Sequence, residues 1–406
     1  MTRHRSTLAA GLALAYSLAL LGDNMLYVFL PSHPAAAGLV AADLGLVLSA
    51  NRIVRLGANS VGGLLSDRSD RRGPYLLGMV LALASTAGYL ACDSLWPLVF
   101  WRVVWGIAFS LISVGGIAII LDLSRADERG RRVGGYQSMI QLGSLLGFGL
   151  AGFLTDALGY RGSLAVYVPL AALGLGIALW VLGEPAPRPL AGRPTPGAGL
   201  ATLASLRALD RRLLVPAYVN FASFFAGSGV VMATLGVYVQ RLAAEPGTGL
   251  FMPVASLTGL LMAVRGVAAM AVTPIAGHAL DRLGDRRLVA AAGALVSLAA
   301  LVILAMGRSV AMVGAGAVLL SIGGGLIRPA VVVWTSDGAP PHLRGVVMGG
   351  LATAGDLGAA LGPLVAYALL ETAGLRAVYG LCALLTLTSL VPLALVRAPA
   401  AVAERA

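Results

Sequence analysis

Twelve stretches of mostly apolar residues, each about the length that crosses a hydrocarbon core, follow one another along this chain with only short polar turns between most of them. They lie near 7–31, 39–64, 74–92, 96–121, 133–157, 163–182, 213–240, 250–277, 288–307, 309–334, 345–370 and 375–396. In lipid every backbone N–H and C=O must be satisfied inside the segment, so stretches of this length are expected to be helices. The expected fold is therefore all-α and membrane-embedded, with twelve transmembrane helices. Composition agrees: 58% of the residues are hydrophobic and only 12% are charged, too few for the surface of a soluble domain.

The spans group as six, a break, and six. The break, 184–212, holds EPAPRPLAGRPTPGAG and RALDRR, a Pro-rich basic linker without an apolar face. The domains expected from this are an N-terminal six-helix bundle (1–183), the linker, a C-terminal six-helix bundle (213–397) and a tail (398–406). The net charge of +11 does not imply nucleic acid, because the 29 basic residues, all arginine, lie mostly in short loops and do not form one patch. Loops on one side, with both termini and the linker, hold twenty arginines against four on the other. By the positive-inside rule both termini are expected to be cytoplasmic, in a multi-pass protein of a bacterial inner (plasma) membrane.

The two halves repeat. "GLLSDRSDRR" (63–72) returns as "GHALDRLGDRR" (277–287), and "RGRRVGGYQSMIQLGSLLG" (129–147) as "RGVVMGGLATAGDLGAALG" (344–362), each about 215 residues on.

These elements resemble the major facilitator superfamily across the whole chain. The most specific element is the loop signature Gly63, Asp67, Arg68, Arg71 and Arg72, with its second copy Gly277, Asp281, Arg282, Arg286 and Arg287. Arg102-Val-Val-Trp-Gly106 in the fourth span is similar to the R-x-x-x-G element of the drug/proton antiporter branch. Gly143-x-x-x-Gly147-Phe148-x-x-x-Gly152 in the fifth is near that branch's glycine signature, with Phe148 where the branch has proline; a Gly362-Pro363 pair stands in the eleventh. The resemblance implies alternating access around a central site, energy from a proton gradient carried by acidic residues, and loop signatures that latch the two bundles in one state. It implies export of small organic compounds. Uptake of an organic anion by proton symport, and a sensor that binds without transporting, stay open.

Few ionisable residues fall within spans, and those that do should face the bundle interior and find partners. The acids are Asp23 and Asp356; the bases are Arg52, Arg55, Arg102, Arg265 and Arg328. Asp23 shares a helix face with Tyr16 and Tyr27, and either carries protons or forms a static ion pair. Asp356 has Gln141 as its counterpart in the first half, so the repeat does not demand the acid. Arg102, Trp105, Phe109 and Ser113 share one face. So do Arg52, Arg55, Asn59 and Gly63, a polar stripe expected to point inward. In the seventh span Tyr218, Phe221, Phe225 and Met232, with Asn220 and Ser228, suit either a pocket for an amphipathic molecule or ordinary packing. Five interior arginines against two acids leave positive charge over, which points to an anionic or zwitterionic substrate.

Cys92, Cys382 and four scattered histidines form no metal or thiol cluster, so no cofactor and no metal are expected. No HExxH, Ser/His/Asp set or nucleotide loop suggests an enzyme. The expected partners are a small-molecule substrate, protons and the lipid bilayer, with no nucleic acid and a monomeric chain.

Overall fold

The computed structural model describes residues 2–68, 71–124, 128–183, 213–245, 250–340 and 343–396. The linker at 184–212 and the tail at 398–406 lie outside the described residues. Ten long helices are present among them: α1 Thr2–Phe29, α2 Asp43–Arg68, α3 Arg72–Leu90, α4 Leu95–Asp122, α5 Arg129–Val181, α6 Leu214–Ala243, α7 Val254–Leu283, α8 Arg286–Met306, α9 Val310–Gly338 and α10 Arg344–Leu395.

The twelve spans fit into ten helices because α5 and α10 carry two each. Their 53 and 52 residues are interrupted only at Gly159 (φ 72°) and Gly374 (φ 75°). This backbone conformation is strained for residues with a Cβ and open to glycine, so the chain turns there without a loop. The two breaks stand about 215 positions apart, at the spacing of the sequence repeat. Nine of the described helices are long and apolar enough to cross a membrane. The tenth, α2, is the one that carries the Arg52–Arg55–Asn59 stripe.

By packing, the chain divides into two compact units, Met1–Pro189 with Ala233–Val264, and Leu190–Met232 with Arg265–Ala406. Helices α6 and α7 contribute to both. Lipid supplies no hydrophobic drive between helices, so association relies on close backbone approach at small residues. In the first unit α5 lies on α1 through Gly143, opposite Ser17, and Gly147, opposite Leu21 and Asn24. The second unit repeats the arrangement. Gly358 of α10 faces the Phe221 and Phe225 backbone of α6, and a Cβ on Gly362 would lie 2.9 Å from the Phe225 carbonyl oxygen. Trp334 of α9 is fully buried among Val219, Ala276, Ala294, Ile327 and Leu393.

Helix α6 is not α-helical throughout: Phe225–Val231 forms a π-helical segment between two α-helical arms. Such a segment leaves the helix locally wider and its hydrogen bonds displaced.

Replacing Gly358 with valine is expected to force α10 off α6 and destabilise the protein by about 1–3 kcal/mol. Gly349→Ala, at a position with nothing within 4 Å, is the matched control. Thermal unfolding in detergent should separate the two, and equal melting temperatures would contradict this account of the packing.

Candidate functional site

The charged residues of the first unit converge on α1, α2 and α4. Asp23 and Tyr27, one turn apart, present both side chains on one face of α1. Arg102 of α4, fully buried, reaches that face. Its Nη1 forms an ion pair with Asp23 Oδ1, its Nη2 donates to the Tyr27 hydroxyl at 2.8 Å, and its Nε donates to the Val47 carbonyl of α2 at 2.9 Å. Arg52 of α2 donates from Nε to the same hydroxyl at 3.1 Å. The Tyr27 oxygen lies 3.1 Å from the Leu48 carbonyl and 3.3 Å from Asn51 Oδ1, so its one proton has an acceptor to go to. A hydroxyl has two lone pairs and one proton, and all three are used here. Both guanidinium groups also lie near the Tyr27 ring, at 5.2 Å (Arg52) and 5.0 Å (Arg102).

Arg52, the first residue of the polar stripe, thus turns toward α1. It binds a tyrosine, and the carboxylate goes to Arg102. One turn on, the half-buried Arg55 guanidinium stacks 3.9 Å from the Phe109 ring centroid, and Phe109 in turn meets Tyr16 and Trp105 edge-on. Asn59 and Gly63 continue the stripe, half-buried.

Phe225, Arg265 and Asp356 belong to the second unit. Phe225 is buried and packs on Phe221, with ring centroids 6.0 Å apart. Arg265 of α7 donates from Nε to Ser321 Oγ and from Nη2 to the Gly227 carbonyl, both at 3.1 Å. Gly227 lies in the π-helical segment, which turns a carbonyl toward a side-chain donor. Asn220 of α6 donates to the Leu351 carbonyl of α10 at 2.8 Å. Asp356 is half-buried on α10, next to Gly355, which faces Asn220 and the Phe224 ring. Tyr218 shares a 2.7 Å hydrogen bond with Thr388.

The loop signatures build matching corners. Arg71 Nη1 lies 2.8 Å from Asp122 Oδ1 at the end of α4, and Arg286 Nε lies 3.2 Å from Asp337 Oδ2 at the end of α9. Arg72 donates to the Gly183 carbonyl, and Arg287 to that of Val396. All these contacts stay within one unit. Arg287 also binds Asp285, and its hydrogen bonds hold that carboxyl below the usual range. Gly277 lies in the last turns of α7 and Gly284 just beyond its end, and Asp281 and Arg282 are exposed. Asp67 and Arg68 end α2, and their side chains lie outside those described. The acids Asp122 and Asp337 were missed by motif reading, yet they stand at the repeat spacing at the ends of matching helices, a signal present in the sequence. Among the described residues no group of three or more His, Cys, Asp or Glu could hold a metal.

The profile of the Major Facilitator Superfamily matches residues 12–264 and 251–406. The chain belongs to this superfamily. It is a multi-pass integral membrane protein. Among curated relatives it is similar to the quinolone resistance protein NorA of Staphylococcus aureus, 25% identical over 139 residues. That match spans 34% of this chain and 36% of NorA, so the chain is matched to only about a third of the relative's length. Among solved structures it shares its fold with a bacterial homolog of the human lysosomal transporter Spinster (TM-score 0.73, 16% identity, 97% of this chain and 96% of that one). A mutant form of the nucleoside transporter NupG gives 0.77 at 13% identity, covering 96% of this chain and 100% of that one.

Removing Arg102 alone should strand a buried carboxylate. Arg102→Met is expected to cost about 3–5 kcal/mol, and the double variant Arg102→Met/Asp23→Leu to recover most of it. Unfolding midpoints of the single and double variants check this; additive losses would mean the pair is not coupled.

Proposed function

We propose that this protein is a proton-coupled exporter of small organic compounds, working by alternating access between two six-helix bundles as a monomer. The observation that carries the reading is the buried Asp23–Arg102 pair with Tyr27 and Arg52 around it. A proton delivered to Asp23 removes the counter-charge of a fully desolvated guanidinium, which is costly in this environment. The network must then rearrange or recruit another anion. That makes protonation and conformation interdependent, the requirement for coupling. Similarity to NorA over part of the chain supports export of drug-like molecules. Asp356 is the second proton-carrying candidate.

A second reading is uptake of an organic anion by proton symport. It is favoured by the excess of interior arginines, because an anion can replace the charge that protonated Asp23 gives up. A sensor that binds without transporting is the reading from another class. The termini are read as cytoplasmic, in a bacterial inner membrane, from the arginine asymmetry. The loop signatures are read as latches, with the Arg71–Asp122 and Arg286–Asp337 pairs as their anchored ends.

Proteoliposomes with an imposed pH gradient test the coupling. Wild type should move substrate with the gradient, and Asp23→Asn should lose the dependence on pH while still exchanging substrate. The direction of net flux decides between export and uptake. Flux in wild type that ignores the gradient would falsify proton coupling, and binding without counterflow would favour the sensor. Neutralising one anchor, Asp337→Asn, is expected to change the rate of exchange several-fold with little effect on substrate affinity. Unchanged rates would remove the latch.

A further inference from the structure

Arg328 is the interior cation that neither the network nor the π-helical segment accounts for. It lies ten residues from the C-terminal end of α9, about 15 Å along the axis at 1.5 Å per residue. Three observations place its guanidinium on the face of α9 that meets α6 and α7. Ser321, Gly324 and Arg328 follow i, i+3, i+7 and so share one face of α9. Ser321 on that face accepts from Arg265 of α7, and a Cβ on Gly324 would meet Ser223 Oγ of α6 at 3.8 Å. Arg328 itself stacks over the Phe224 ring of α6, 4.8 Å from the centroid. The adjacent glycines let this happen, because Gly323 faces α8 while Gly325 faces Ala269 and Val272 of α7. Three consecutive positions, each turned by about 100°, thus admit three different helices to α9.

No carboxylate pairs with Arg328 among the described residues, and the residue retains exposed surface. The ring of Phe224 covers one face of the guanidinium and leaves the edge donors, whose planar fork matches a carboxylate. Phe221 and Phe224, both half-buried, supply apolar surface beside it.

We infer that Arg328, seated on Phe224, is a binding site for the carboxylate of an organic anion with an aromatic or other apolar body. The inference rests on the transporter reading above and names the substrate class for it. An anionic lipid headgroup offers related chemistry, and the test separates the two.

The full chain in phosphatidylcholine nanodiscs is titrated with 2-naphthoate and with its neutral analogue 2-naphthamide. Wild type should bind naphthoate more tightly. Arg328→Gln should weaken naphthoate by about tenfold or more and leave naphthamide unchanged, with Arg328→Lys in between. Phe224→Leu should weaken both probes, which keeps a reading available if Arg328→Gln does not fold. Equal affinity of wild type for the two probes, or naphthoate binding indifferent to Arg328→Gln, overturns the site. Loss of naphthoate binding when phosphatidylglycerol is added assigns the site to a lipid headgroup and also overturns it. Proton-driven flux measured on the same protein keeps the two readings apart. Arg328-dependent binding without flux upholds the site and sinks the transport reading, and flux with Arg328-independent binding does the reverse.

Discussion

A charged pair buried inside a membrane-spanning bundle ties α1, α2 and α4 of the first unit together. Desolvating Asp23 and Arg102 is tolerable only if nearly every donor and acceptor around them is filled, and this dictates the geometry of three helices. Arg102 Nε must reach the Val47 carbonyl, which requires α4 to lie hard against α2. Gly106, one turn from Arg102, makes that approach possible because it rests on the Asn51 backbone. Tyr27 must stand where two guanidinium groups and one acceptor meet its hydroxyl, which fixes the rotation of α1. The packing glycine, the ion pair and the tyrosine are parts of one constraint.

The duplication supplies a scaffold and leaves the chemistry free to diverge. Gly159 and Gly374 break matching helices, Arg71–Asp122 and Arg286–Asp337 close matching corners, and glycine pairs seat α5 on α1 and α10 on α6. The interior charges Arg102 and Asp356 do not repeat. The position about 215 residues beyond Arg102 is the buried Ala317, and Gln141 stands opposite Asp356. Scaffold positions answer to backbone geometry, which both halves share. Interior side chains answer to whatever each half must bind.

This division explains what could be read without coordinates. Span number, the repeat and the polar stripe of α2 are periodic properties of local sequence, and all three are legible. The partner of Asp23 is not, because Arg102 lies 79 residues away and spacing within one helix says nothing about which neighbour it meets. The breaks at 157–163 and 370–375 read as short loops, yet each is a single left-handed glycine inside one long helix. The π-helical turn at Phe225–Val231 left no periodic trace, so neither the acceptor of Arg265 nor the placement of Phe224 could be foreseen. Phe225, which by composition suited either a pocket or packing, is buried against Phe221.

Both units seat an arginine on an aromatic ring, Arg55 on Phe109 and Arg328 on Phe224, but they differ elsewhere. In the first, the Arg102 guanidinium is paired with the Asp23 carboxylate. In the second, the acceptors described for Arg265 are a hydroxyl and a carbonyl, and Arg328 rests on a ring; none of these can take up a formal positive charge. The desolvation cost of a buried charge is thus met by an opposite charge at Arg102 and by the neutral groups described around Arg265 and Arg328.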